Sequence, residues 1–357
     1  MTRENRVLEK VGTPAPSLQD SGPFVLPYAG ALPEFASPPT CGAGAAVLGR
    51  ATIGANARLG VSSVIRADGH FVRIGDDFSL GPRSTVHIAH DVYPAIIGDR
   101  VSVGQNAVVH ACTLGNDVVV GDSAVILDGS VVGDGVVIEP NAIVFPRSEL
   151  FGGKLYAGMP ARPVRDLRPG EVEERAAEMR RRVDPRGDVR PALAEGDLGA
   201  SLFVSATATL RGRIRAAENS SIWFGCDLDA NGGEIVIGEN TNIQDNTRIR
   251  CRAGQGFAIG QDSTIGHNVT LGDCTIGARS LIGIGSVVAD GTMIEDDVFL
   301  AAGGETTAGQ VLERGFLWGK GPAVKMAPLD AAKRELIAMT VEHYCNYARA
   351  FAVAQQS

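Results

Sequence analysis

The sequence predicts an all-β solenoid, built as two tandem parallel β-helices, each followed by an α-helix. Two observations carry this expectation. One is a six-residue beat in which an aliphatic residue precedes a small or acidic one. The other is the return of that beat in a second stretch. A third observation, 45 glycines beside 44% apolar residues, fits corner residues between short strands rather than a disordered chain.

In the first stretch, roughly 45–150, the beat runs Ile97-Gly98, Val103-Gly104, Leu114-Gly115, Val120-Gly121, Val132-Gly133, Ile138-Glu139. In the second, 202–310, it runs Ile237-Gly238, Ile243-Gln244, Ile259-Gly260, Ile265-Gly266, Leu271-Gly272, Ile276-Gly277, Ile282-Gly283, Ile294-Glu295. An offset of 162 or 163 residues superimposes the two, including a shared five-residue step (Val109 to Leu114, Leu271 to Ile276). The chain therefore contains an internal duplication. Three hexapeptides close one triangular coil, with the aliphatic residues stacked inside and the small residues at the corners, where φ > 0 or close packing is needed.

The elements follow in order. Residues 1–40, rich in Pro and Gly, form an extended N-terminal segment over the surface. Residues 41–183 form the first β-helix and its helix, since Pro169 to Val183 has helix-forming composition, with Pro near the start and Pro185 just beyond. Residues 184–199, rich in Pro, Gly and Asp, form a linker. Residues 200–357 form the second β-helix and a longer C-terminal helix from Asp330 to Val353, apolar at Leu336, Ile337, Val341, Tyr344 and Phe351.

Composition excludes several classes of function. A net charge of −8 without a basic run argues against nucleic acid and anionic membrane surfaces. No apolar run is long enough to span a membrane, and the N-terminus does not read as a signal peptide. The six cysteines lack any paired spacing, and Cys112 and Cys274 occupy equivalent, core-facing repeat positions. A reduced, cytoplasmic setting is the expectation.

Three of the six histidines bear on chemistry. His87 and His110 each follow an aliphatic core position, and one coil separates them, with a short loop at 91–95. They should stack on one face, about 4.8 Å apart. Two imidazoles at that distance suit a divalent metal, and a third ligand must arrive from a neighbouring surface.

Several segments resemble the γ-class carbonic anhydrase family. In the first copy these are Val64-Ile65-Arg66-Ala67-Asp68, Val86-His87, the run Val103 to Cys112, Ile126-Leu127-Asp128-Gly129, and Leu155 to Arg162. In the second they are Ser221-Ile222-Trp223-Phe224, Thr241 to Asn246, and Ile265-Gly266-His267-Asn268. The resemblance implies left-handed β-helices that associate as trimers, with a metal at the subunit interface. Two histidines come from one subunit, at the positions of His87 and His110, and one comes from the Gly-His-Asn motif of the neighbour.

Each copy departs from that pattern where the other keeps it. The Gly-His-Asn motif reads Gly104-Gln105-Asn106 in the first copy and is intact at His267 in the second. The positions of His87 and His110 have become Arg250 and Gly272. Arg66 and Asp68 of the first copy correspond to Asp229 and Asn231, whereas Gln244 and Asp245 of the second correspond to Gly81 and Pro82. Complementary loss implies one composite site with His87, His110 and His267 as metal ligands and Arg66, Asp68, Gln244 and Asp245 as the accompanying catalytic groups.

The resemblance implies Zn2+, with Fe2+ or Co2+ as substitutes, and hydration of carbon dioxide to bicarbonate. In that setting Gln244 would hydrogen-bond the hydroxide or the developing bicarbonate. Arg66 would hold bicarbonate or pair with Asp68 or Asp245. His90 and Asp91 are weak candidates for a proton shuttle, with solvated loop residues the plainer reading. The implied assembly is a homo-oligomer through β-helix faces, or a larger complex. Other readings stay open: packing of like copies only, with Gln105 as a weak ligand; an acyl-CoA thioesterase or acyltransferase on the same scaffold; and a non-catalytic assembly subunit.

Overall fold

The structure, a computed structural model, describes residues 22–183, 199 and 201–356. It contains the two tandem β-helices. The first runs from the strand Phe24–Leu26 to Arg162–Asp166, the second from Phe203–Val204 to Val324–Pro328. Most strands are two or three residues long and pair in parallel with the equivalent strand of the next coil. On one face of the first β-helix, Leu59, Leu80, Val103, Val120, Ile138 and Tyr156 fall in register through successive coils. These residues are buried in one continuous core, so the six-residue beat becomes a ladder of aliphatic side chains.

The corner glycines answer to close packing more than to positive φ. At Gly98, an added Cβ would lie 2.7 Å from the carbonyl carbon and oxygen of Gly115 in the next coil. The left-handed conformation falls instead one or two residues later, on Asn56 (φ 59), Asp77 (φ 57), Asn106 (φ 54) and Asp117 (φ 58). Asn and Asp tolerate that region best among residues with side chains. Acidic and amide corners also stitch the coils. Asp76 Oδ1 accepts from the Ala55 N–H (2.7 Å), Asp99 Oδ1 from Asp76 (2.9 Å), Asn116 Oδ1 from Asp99 (2.8 Å) and Asp134 Oδ1 from Asn116 (2.7 Å).

Each β-helix closes with an antiparallel strand pair, Lys154–Ala157 with Arg162–Asp166 and Phe316–Gly319 with Val324–Pro328. A helix follows each: α1 (Glu171–Arg182) and α2 (Ala331–Gln356). The Glu171 carboxylate holds the start of α1, accepting from Arg165, Arg175 and the Arg168 N–H. On α2, Ile337, Val341, Tyr344, Tyr347, Ala348 and Phe351 are buried. Leu336, expected on that apolar face, is instead 41% exposed. The described part of the N-terminal segment supplies two strands, Phe24–Leu26 and Glu34–Phe35, both paired with Ala46–Ile53. Residues 1–21 and most of the expected linker, 184–198, lie outside the described residues. All six cysteines are free, with Cys112 and Cys274 in the two cores.

The two β-helices lie side by side with their axes running the same way. Equivalent corners meet along the seam. Arg83 Nη2 donates to the Asn246 carbonyl (3.1 Å), and Asn268 Nδ2 donates to Asn106 Oδ1 (3.1 Å), pairs 163 and 162 residues apart. Further along, Val125 faces Gly285 and Ile143 faces Gly303. Outward-facing Val108, Val125 and Ile143 of the first copy bury with Ile284 of the second. Helix α2 packs on its own β-helix and also reaches the strand Phe24–Leu26 of the first, clamping the seam. Unlike surfaces are thus joined within one chain.

Candidate metal centre

The centre sits at this seam. His87 and His110 are register partners on adjacent strands, Thr85–His87 and Val108–His110. The alternation of strand side chains buries Val86 and Val109 while turning the imidazoles toward the second copy. There the turn after Thr264–Ile265 presents His267. His87 Nδ1 lies 3.2 Å from His110 Nε2 and 3.1 Å from His267 Nε2. The ligating nitrogens of all three lie within 4.8 Å of one another. A tetrahedral zinc with imidazole bonds of 2.0–2.1 Å sets its ligands about 3.3 Å apart.

Each histidine turns its other nitrogen to a carboxylate. His87 Nε2 meets Asp68 Oδ1 at 2.9 Å, and His110 Nδ1 meets Asp128 Oδ1 at 2.5 Å. His267 Nδ1 lies 3.2 Å from Asp245 Oδ2, close enough for an ion pair but short of hydrogen-bond alignment. The carboxylates hydrogen-bonded to His87 and His110 select a tautomer at each ring, and Asp245 lies behind His267, so the inward nitrogens stand as lone pairs. Three lone pairs then point at one another. The Tyr344 hydroxyl, 3.4 Å from His267 Nε2, reaches only that one lone pair, whereas a cation between the three relieves the repulsion.

Charge gives the same answer. Arg66 and Asp68 are fully buried, as is Asp245. The Arg66 guanidinium is used on three sides: Nε donates to Asp245 (2.9 Å), Nη1 pairs with Asp68, and Nη2 donates to Tyr344 Oη (2.7 Å). Its flat faces rest on Trp223 (4.4 Å) and Tyr344 (5.2 Å). One guanidinium against the three carboxylates of Asp68, Asp128 and Asp245 leaves acidic groups in excess beside the imidazoles. A divalent cation balances them. The residues present therefore fit a divalent metal.

The ionisation of His87, His267 and Asp245 agrees, while burial raises the Asp68 carboxyl above the usual range. His87 is held well below the ordinary imidazole value, first by burial and then by Arg66 and the other two histidines. His267 is pushed down to about 4 by burial, against the pull of Asp245. Burial alone would raise Asp245, yet Arg66 and His267 bring its carboxyl below the usual range. Neutral imidazoles are the form a metal takes.

Six of the seven residues expected at the site are drawn together: Arg66, Asp68, His87, His110, Asp245 and His267. The seventh, Gln244, is buried, and its Nε2 donates to Asn242 Oδ1 (3.1 Å) rather than to any of these six. Gln105 is exposed, and Arg250 pairs with Asp227 on an exposed face. Two groups were missed. Asp128, in the Ile126-Leu127-Asp128-Gly129 segment, has its signal in the register that sets the following coil beside His110. Tyr344 was read as part of an apolar stripe. Its hydroxyl lies 3.4 Å from His267 Nε2, and no local pattern marks a tyrosine delivered by a distant helix.

The fold and this seam define a hexapeptide-repeat protein. Residues 111–146 match the family described as bacterial transferase hexapeptide (six repeats), and 94–122 and 273–304 match the hexapeptide repeat of succinyl-transferase. Among curated proteins the chain is 45% identical over 130 residues to the probable carbonic anhydrase of Methanocaldococcus jannaschii, covering 36% of this chain and 81% of that one. It is 43% identical over 119 residues to protein YrdA of Escherichia coli, covering 32% and 63%. With mitochondrial gamma carbonic anhydrase 1 of Arabidopsis thaliana it shares 31% over 133 residues, 36% of this chain and 48% of that protein. It thus spans about half of the plant protein's length. A solved structure from Desulfovibrio desulfuricans, provisionally assigned as an acetyltransferase, shares the fold at 13% identity with a TM-score of 0.54, covering 89% of this chain and 79% of that one. The chain belongs to the γ-class carbonic anhydrase-like family, in tandem duplication.

Proposed function

We propose that the chain is a metal-dependent carbonic anhydrase whose single composite centre lies between its two β-helices. The observation that carries this reading is the convergence of His87, His110 and His267, each backed by a carboxylate. The metal we assign is Zn2+, with Fe2+ or Co2+ as chemically acceptable substitutes for three imidazoles. When bound, it supplies Lewis-acid activation of a water at neutral pH, the nucleophile that carbon dioxide hydration needs.

The protein's own residues do the rest. Asp68, Asp128 and Asp245 orient the imidazoles and raise their basicity. Arg66 has every arm engaged and is fully buried, so we assign it to bracing Asp68 and Asp245 rather than to holding bicarbonate. Gln244, fixed by Asn242, is the group we assign to the developing bicarbonate. Two copies in one chain complete the centre, so a homo-oligomer is not needed for it. The setting we propose is cytoplasmic.

The test is metal content of protein purified without chelator, paired with carbon dioxide hydration measured by stopped flow. About one metal per chain, lost in His267→Ala together with activity, supports the reading. Protein that carries no metal and gains no hydration activity on zinc addition overturns it.

A further inference from the structure

Hydration of carbon dioxide releases one proton with each bicarbonate, and the centre that would release it is closed on its α2 side, although the His110 and Asp128 side chains keep 12% and 41% exposure. His87 is 3% exposed and His267 1%. On the α2 side, Tyr28, Tyr344 and Tyr347 pack edge to face at 5.7–5.8 Å, walling the triad from solvent. Beyond that wall stands an unusual pair. The rings of His90 and His343 stack with centroids 3.7 Å apart and planes 18° from parallel. Both are half-buried.

The pair is held by both copies. His90 lies three residues after His87, so their Cα atoms are separated by no more than about 11 Å. Its backbone adopts φ 44, a conformation costing on the order of 1 kcal/mol for a residue with a side chain. The loop is seated on Gly69, where a Cβ would lie 2.7 Å from the His90 carbonyl oxygen. His90 Nδ1 makes a short hydrogen bond with Tyr347 Oη, and Tyr347 is itself buried. Asp91 and Glu342 are the charged neighbours of His343, and burial together with His90 keeps its imidazole below the ordinary value.

We propose that His90, supported by His343, carries the product proton from the centre to solvent, by way of Tyr347 or water beside it. This rests on the anhydrase reading. His90 accepts the proton on a ring nitrogen and gives up one to buffer, and no other bond is made or broken.

The experiment uses the zinc-loaded full chain with His90→Asn and His343→Phe. Asn tolerates the left-handed backbone at position 90, which keeps the loop intact, and thermal midpoints check both variants. In weak buffer we expect kcat of His90→Asn to fall about 10- to 100-fold while kcat/KM, which ends before the proton leaves, stays within twofold. Imidazole added to the buffer should restore kcat. In metal-free protein, diethyl pyrocarbonate should modify His90 or His343 and spare His87 and His267, as read by mass spectrometry. Unchanged kcat in both variants, kcat and kcat/KM falling together without imidazole rescue, or an unreactive His90–His343 pair overturns the relay. Wild-type protein without hydration activity overturns the anhydrase reading itself, and the relay with it.

Discussion

His87 Nδ1 and His267 Nε2 stand 3.1 Å apart, although 180 residues of chain separate them. Each belongs to a different copy of the duplicated β-helix, so the seam between the copies brings them together within one chain. Assembly of the triad is then unimolecular. Metal retention should not change when the protein is diluted from micromolar to nanomolar concentration, as followed by transfer of zinc to a fluorescent chelator. A concentration-dependent loss would mean that the ligands come from different chains.

Asp245 is the residue on which the seam depends most. It accepts from Arg66 Nε and from the Phe224 N–H and lies against His267 Nδ1. Asp245→Asn leaves a fully buried guanidinium with one carboxylate instead of two. Breaking a buried pair from one side costs about 3–5 kcal/mol, so the denaturation midpoint should drop markedly and metal should be lost. Asp117→Asn removes an exposed partner of Arg100, where solvent screens the pair, and should barely move the midpoint.

Acid should weaken the metal-free protein through the same histidines. His87 and His267 have folded-state values below the 6.5 of a free imidazole, His267 at about 4. The unfolded chain therefore binds more protons than the folded one across this window. Stability is full above pH 6.5 and is lost as pH falls toward 4, at up to about 1.4 kcal/mol per pH unit for each histidine. Asp245 and Asp128, both held below the usual carboxyl value, act in the same direction at lower pH. Urea midpoints taken from pH 7.5 to 5 on chelator-treated protein check this. Zinc should offset much of the loss, since a ligand at a thousand times its Kd adds about 4 kcal/mol.

Much of this was legible in the sequence because a solenoid converts sequence spacing into position. One coil separates Val86 from Val109, which is enough to place His87 beside His110. The offset of 162 or 163 residues even marks the pairs that touch at the seam, Asn106 with Asn268 and Arg83 with Asn246. What stayed hidden depends on packing between distant elements. Nothing in the helical pattern of α2 separates Tyr344, which reaches His267, from Leu336, which faces solvent. His90 read as a solvated loop residue because its stacking partner, His343, lies on a helix more than 200 residues away. That the two copies pair with each other was legible only through the complementary loss of site residues; how their corners fit had no local signal.

That fit can be probed at Gly303, which faces the first copy across the seam. Its φ of +66 disfavours any side chain, and a Cβ there would lie 2.8 Å from Ile143 Cδ1 and 2.9 Å from Cγ1. Gly309 has nearly the same φ, +68, with nothing within 4 Å of a Cβ. Gly309→Ala therefore carries the backbone cost alone, about 1–2 kcal/mol. Gly303→Ala carries that cost plus crowding of the seam, about 1–3 kcal/mol more. Because Ile143 is the crowded neighbour, pairing Gly303→Ala with Ile143→Val should recover part of the difference, a coupling that a double-mutant cycle on denaturation midpoints resolves. The crowding lies between copies, so metal affinity should fall with Gly303→Ala and stay unchanged with Gly309→Ala. Equal losses of stability and metal in both variants would mean that the copies do not meet at this corner.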